Sequence, residues 1–497
     1  MDKTKYIFTS VVLLIPILLS SIFSIVVFEK SLAIGSQSLT TTSDLRSIQQ
    51  TPDNITSSSK SYDWPMYQHD ASHTGALMAS FPDSVNLIWN KPYSDIIRAV
   101  VRHFSSPIVA NGKVFIYGGC GKEAIICAFD ENNGSQIWKR EIHLSLFNAR
   151  FLLSGGNSPA YSNGKLFVSI GRGASLGAYL GIPGSNSIRR CWSSLLALDE
   201  NTGDIVWKKT FLGSSAHCSV IVVEGKVIVG GHLTFQLPLS MIYVYDENNG
   251  KLLWSRNMLG FLESTPVASD NKVFVVTGSH SGTSSLLERF YIRLLKKSRI
   301  YAFDINNGKR LWMKPVEGYA MFSSPAAGNG KLFIPSNIIV NKYRHDRKIY
   351  ALDQETGEEI WQYDIEQKYS FNWLTSISTP SLAYGKVFVA DADGWLYALD
   401  EDNGDMVWER EIIKNSSDYF LWANPVISPV VVDGKVIAHA QREGARSQIY
   451  TCMFNESNGK LIWSMKVYHH SEATGPFAVA NEKLFINDSW DAIFAYG

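Results

Sequence analysis

Ala197-Leu-Asp-Glu-Asn-Thr-Gly-Asp-Ile-Val-Trp207 decides the fold, because the chain repeats it. Near copies run Ala128–Trp138, Val244–Trp254, Ala302–Trp312, Ala351–Trp361, Ala398–Trp408 and Met453–Trp463. Two fragments make a further copy: Leu87-Ile-Trp89 carries its last third and Ala495-Tyr-Gly497 its first. In each copy an apolar run enters an Asx-Gly turn and a second apolar run ends in Trp. Asx side chains cap their own backbone and Gly takes φ > 0 without strain, so this is a hairpin of two strands. A second hairpin lies upstream. Ser106-Pro107 with Asn111-Gly-Lys-Val-Phe115 is echoed by Ser158-Pro159 with Asn163–Phe167, Ser324-Pro325 with Asn329–Phe333, and Thr379-Pro380 with Tyr384–Phe388. Each repeat is therefore four short strands.

Successive Trp residues stand 47 to 69 apart from Trp89 to Trp463. Four strands in that length describe a propeller blade rather than a helical solenoid. The Trp series Trp89, Trp138, Trp207, Trp254, Trp312, Trp361, Trp408 and Trp463 predicts an all-β, eight-bladed β-propeller of four-stranded blades. The split copy predicts the closure: the N-terminal strand around Asn86–Trp89 joins the C-terminal blade at Ala492–Tyr496, which removes a free sheet edge. The slot before each turn is small (Ala128, Ala197, Val244, Ala302, Ala351, Ala398), leaving room for an indole to lie over the strand. These Trp, Asp and Gly residues read as scaffold, since a Trp ring is worth most when buried.

The pattern A-x-D-x-x-T/N-G-x-x-x-W resembles the tryptophan-docking motif of quinoprotein alcohol dehydrogenases, and more widely the pyrroloquinoline-quinone (PQQ)-like β-propeller repeat superfamily. The resemblance covers Trp64 to Gly497, and the opening Trp64-Pro-Met-Tyr-Gln-His-Asp-Ala-Ser-His-Thr-Gly75 is similar to the first segment of such proteins. It implies that each Trp stacks on the small first residue of its motif and on a Gly of the neighbouring blade, so that Trp138 meets Ala128.

Ahead of the repeats, Ile7 to Phe28 is apolar and uncharged, with Lys3 and Lys5 before it. That length spans a bilayer, and the lysines favour a cytoplasmic N-terminus with an exported remainder. Residues 1–30 thus read as a signal-anchor, with a cleaved signal peptide at Ser31-Leu-Ala33, hence a secreted protein, as the rival. Residues 31–63, rich in Ser, Thr and Gln, read as a flexible tether, and residues 64–497 as the propeller. Lys plus Arg and Asp plus Glu number 46 each, so no basic field for nucleic acid follows. Five cysteines make no dense disulfide framework. Cys127 and Cys452 read as core filler, while Cys120–Cys127 and Cys191–Cys218 are the pairings that an oxidising compartment would allow.

With strands named A to D from axis to rim, the tight A–B and C–D turns share one face. The D–A and B–C connections share the other, which carries the insertions Gly171–Trp192, Ser281–Ser298 and Asn337–Lys348. Variable loops on a rigid scaffold mark a working face. The segments entering the A strands offer His103, Asn157, His217, Glu263, Trp373, Asn424 and Glu472 to an axial funnel, a mixture that suits a polar ligand or cation, or simply water. Ser285–Ser298 places Leu286, Leu287, Phe290, Leu294 and Leu295 at helical spacing among four basic residues. It reads as an amphipathic helix that either caps the rim or touches a membrane or partner.

Two functional readings follow. The resemblance implies a PQQ- and Ca²⁺-dependent dehydrogenase, with Glu263, Asn424 and Glu472 as possible calcium ligands. Against it, the chain has no adjacent cysteines and no Cys-x-x-Cys-His haem site. The other reading is a monomeric, membrane-anchored binding platform without catalytic activity, serving an unknown protein partner or small ligand. No nucleophile elbow, His-Glu-x-x-His or phosphate-cradling loop speaks for a hydrolase. His69, Asp70 and His73 read as packing residues rather than a metal pair, because two ligands alone rarely make a site.

Overall fold

The computed structural model describes residues 62–95, 102–120, 123–143, 157–171, 192–215, 218–233, 238–278, 297–318, 323–339, 345–368, 377–412, 427–442, 448–468, 477–487 and 492–497. They form eight separate sheets, each a blade with its strands in A-B-C-D order; a fifth short strand joins blades 1 and 7. The A strands are Ile108–Ala110, Ala160–Ser162, Ile221–Val223, Val267–Ser269, Ala326–Gly328, Ser381–Ala383, Val430–Val432 and Ala478–Ala480, for blades 1 to 8 in turn. Each A strand turns back through two residues into its B strand. In the Asn111-Gly112 turn both residues have positive φ (55° and 72°), the mirror-image turn whose twist suits paired strands. Blade 8 draws its D strand from the other end of the chain: Leu87–Pro92 pairs antiparallel with Ala492–Tyr496, Trp89 opposite Ala495.

Each docking Trp lies opposite the small residue that opens its motif, as Trp138 does opposite Ala128 and Trp207 opposite Ala197. A bulge follows at once, so the aliphatic residue before the Trp is left unpaired on the rim. The indole reaches across to the next blade. Trp138 Nε1 donates to Glu200 O at 2.7 Å, and its ring covers Gly203. A Cβ at Gly203 would sit 2.6 Å from that ring, and φ there is +69°, so only Gly fits. Trp89, Trp207, Trp254, Trp312, Trp361 and Trp408 dock in the same way on Gly134, Gly250, Gly308, Gly357, Gly404 and Gly459. A charged tie runs beside most of these docks, Lys272 with Glu355 and Lys386 with Glu456 among them.

The expected disulfides do not form: Cys127, Cys218 and Cys452 are free, buried thiols. On the ladder Cys127 stands opposite Ile116 while Cys120 stands opposite Glu123, which keeps that pair apart along the hairpin. Burial pushes all three thiols up to about 12, with Lys139 and Glu141 pulling in opposite directions on Cys127, as core filler requires. Cys191 lies outside the described residues, as do the predicted span Ile7–Phe28, the tether up to residue 61 and most of Ser285–Ser298; Ser298 itself opens a strand. Among the described residues no helix is long and apolar enough to cross a membrane.

Candidate functional site on the propeller axis

The site begins with the parity of the A strands. Ala110 and Lys113 close the first turn, so the next residue in, Val109, turns its N–H and C=O away from strand B and toward the axis. The same holds two residues earlier, where Pro107 stands. Proline has no N–H to leave unpaired there, which explains why the Ser-Pro or Thr-Pro pair recurs at this point of the repeat.

The axial N–H groups are taken up by the opening segment. Val109 bonds Trp64 in both directions. Tyr161, Ala268, Ala327, Leu382 and Val431 donate to the carbonyls of Pro65, Ala71, Ser72, Thr74 and Gly75 at 2.7–2.8 Å. Ala76–Leu77 then lies parallel to the A strand of blade 7. Residues 64–77 thus form a plug that visits the blades in ring order and closes the axis at the tight-turn end. Asp70 holds the plug together by accepting from the N–H groups of Ser72 and Thr74. Burial alone would raise its carboxyl, but the bonds from His69 and Thr74 outweigh that and leave it below its usual value.

Beyond the plug, toward the loop face, lies a belt of buried hydroxyls. Each backbone N–H donates to the hydroxyl of the next blade: Ser158 to Ser219, Ser219 to Thr265, Thr265 to Ser324 and Ser324 to Thr379, at 2.9–3.1 Å. The plug sends three side chains into this layer. Tyr67 OH bonds Thr379 Oγ1 at 2.9 Å, and burial raises its phenol above the usual value. His73 is fully buried with Nδ1 2.9 Å from Pro325 O. A carbonyl only accepts, so Nδ1 carries the proton and Nε2 is a bare acceptor. Burial lowers this imidazole to about 4, so it is neutral at physiological pH. Gln68, also fully buried, has its amide close to Gly75, and neither atom of that amide has a partner among the described residues. The three side chains that the plug sends toward the axis are therefore polar but uncharged at neutral pH.

The sequence-selected funnel residues fare unequally. Asn157 is buried, and its Nδ2 donates to the carbonyls of Ser215 and Ser169, tying blade 2 to blade 3. Glu263 is buried just ahead of the belt residue Thr265. His103 lies on the strand Arg102–Phe104, which leads into the A strand of blade 1 and pairs with the same strand B. His217, Trp373, Asn424 and Glu472 lie outside the described residues. Among the described residues no three His, Cys, Asp or Glu side chains converge on a point that would hold a metal ion. The belt and Gln68 were missed from sequence, although the Ser/Thr before each Pro was the signal for the belt.

A family model described as "Outer membrane protein assembly factor BamB" matches residues 193–322 and 240–497. The chain belongs to this PQQ-like propeller family. Solved structures share the fold of the family at low identity. The quinohemoprotein alcohol dehydrogenase from Comamonas testosteroni aligns with a TM-score of 0.56 at 13% identity, covering 88% of this chain and 80% of that one. A europium-containing methanol dehydrogenase aligns at 0.55 and 12%, covering 88% and 98%. The computationally designed Ika8 protein aligns at 0.51 and 12%, covering 79% and 96%. No curated protein matches the chain by sequence. At such identities the PQQ-like propellers share a scaffold, and function has to come from the site.

Proposed function

We propose that the protein is an extracytoplasmic, membrane-anchored propeller that acts by binding, presenting its loop face and axial funnel to a protein partner or a small polar ligand. The observation that carries this reading is the set of uncharged polar side chains, Tyr67, Gln68 and His73, that the plug turns toward the axis. The plug closes one end of the axis, so a ligand enters from the loop face and meets hydroxyls, a phenol, a neutral imidazole and an amide. Such groups orient a neutral polar molecule by hydrogen bonds, and nothing among them is poised as a nucleophile or general base at neutral pH. The anchor, Ile7–Phe28, and the outward position of the propeller are part of the same proposal.

The fold shared with quinohemoprotein and methanol dehydrogenases favours a second reading, a PQQ- and Ca²⁺-dependent dehydrogenase. Calorimetric titration of the full chain with PQQ, with and without Ca²⁺, separates the two. Absence of heat up to high micromolar quinone is the outcome expected of the platform. Tight, calcium-dependent binding overturns it and makes dye-linked alcohol oxidation the next assay. Retention of the chain in membranes washed at alkaline pH is expected of the anchor; release into the wash refutes it.

A further inference from the structure

The plug serves six of the eight A strands and passes over those of blades 3 and 8 among the described residues. In blade 8 the unserved residue, Val479, is wholly buried in the core cluster that contains Trp64 and Leu77. In blade 3 the unserved residue, Val222, also packs in a core cluster, with Met66 and Ala71 of the plug, but it borders an open pocket. Val222 occupies the ladder position of Val109, with Val223 and Lys226 closing its turn, so its N–H and C=O face the axis. Neither is bonded to the plug, and Val222 and Val223 line an open pocket of about 710 Å³ on the tight-turn side.

The plug misses blade 3 because it folds on itself there. His69 N–H bonds Met66 O at 3.1 Å and Asp70 N–H bonds Gln68 O at 2.9 Å, with Gln68 and His69 at positive φ (52° and 73°). The loop so formed is the far wall of the pocket. The slot between has the character of a strand site. One wall is an unpaired backbone edge, and the sister blades show how an extended chain engages that edge. Pro65, Met66 and Leu77 give it apolar surface. Asp63, Asp70 and Asp270 line it, and no Lys or Arg does. The lysines that open the B strands of blades 3 and 4 are engaged by carboxylates, Lys226 by Glu224 and Lys272 by Glu355.

We propose that this slot is a second binding site, on the face opposite the funnel, that takes a short extended segment of a partner protein carrying Lys or Arg. The segment pairs its backbone with Val222 as a strand added to the A-strand edge, and its basic side chain lies among Asp63, Asp70 and Asp270. Backbone pairing supplies affinity and the carboxylates supply selection. The site is independent of the funnel, so either proposal can fail while the other holds.

The test uses the full chain and a fluorescein-labelled Val-Lys-Val-Lys-Val peptide, read by anisotropy. Saturable binding is expected, weakened about tenfold in Val-Glu-Val-Glu-Val or when the peptide backbone is N-methylated, since two hydrogen bonds or a charge reversal are at stake. Val222→Pro removes the N–H and is expected to weaken binding about as much as N-methylation. Asp270→Asn keeps the turn and is expected to weaken it about threefold, with a smaller dependence on salt. Hydrogen exchange places the site: the Val222 amide should exchange fast in the free chain and slow down with peptide. Equal affinity for the acidic and N-methylated peptides, or no binding at millimolar peptide, overturns the proposal. So does a Val222 amide already protected in the free chain, which would put the chain's own tether, arriving at Tyr62, in the slot.

Discussion

Seven seams of the ring are built alike, and the eighth is not. Between ordinary neighbours an indole donates to a carbonyl, covers a glycine and is flanked by polar ties. Between blades 7 and 8 Trp463 has no such glycine to cover, because the C–D corner of blade 8 is cut by the chain ends. Its indole is half-buried, and among the described residues no carbonyl accepts from it. Residues 81–86 stand in its place. Lys435 Nζ donates to Phe81 O at 2.8 Å and pairs with Asp83 and Asp433, and Asn86 and Gly497 exchange two backbone bonds at 3.0 Å. A repeated side-chain dock thus gives way, at the point of closure, to a clasp made of backbone and one lysine. The lesson is that local repetition specifies each ordinary joint, while closure of the ring rests on residues outside the repeat.

The largest test of this contrast compares tryptophans. Trp138→Ala is expected to cost about 3–5 kcal/mol in chemical unfolding, as emptying a buried aromatic site does, and Trp463→Ala less than half of that. Equal losses would erase the distinction. Next comes the seam between blades 5 and 6, which carries a buried clamp besides its dock: Arg347 bonds Asp391 at 2.7 Å and Asp393 at 3.1 Å, all without solvent exposure. Burial raises the Asp391 carboxyl from 3.8 to about 6, Arg347 pulling the other way. Between those values the folded chain binds the proton more than the unfolded one, so this group's contribution to stability falls as pH rises from about 4 to 6 and is level above. Asp391→Asn should flatten that slope, worth about 3 kcal/mol. A slope unchanged in the variant would acquit the clamp.

Smaller effects sharpen the same picture. Lys435→Met is expected to cost about 1–2 kcal/mol and to speed proteolysis at residues 81–86 alone, because it opens the clasp and no other seam. Uniform sensitivity around the ring would show that closure is shared rather than local. Smallest of all, Arg140→Ala removes the exposed ion pair with Asp204 on an ordinary seam and should shift stability by no more than about 0.5 kcal/mol in a thermal melt.

The blade count was legible because the docking motif is a side-chain pattern: a Trp, a small residue and a Gly that must meet. The plug was far less so. Trp64–Gly75 reads as a packing segment, but it works through its carbonyls, and every residue type carries one. Gln68 and His73 gain their place from a tight loop that no spacing announces. The Cys120–Cys127 pairing failed for a related reason, since proximity in sequence says nothing about ladder register, and Cys127 faces Ile116. Asn157 illustrates the limit on the site. Its position near the axis followed from the repeat, yet its Nδ2 serves two carbonyls, which leaves only Oδ1 without a partner among the described residues.

The plug also orders events in time. Trp64–Leu77 is made before any blade, yet its partners arrive one after another up to Val431, so its last bonds wait until the seventh blade exists. Once seated, it turns a ring of neighbours into a wheel with a hub. A pull arriving through the chain at Tyr62 would load several spokes at once, and the propeller would resist by shear at the axis before any blade had to peel from its neighbour.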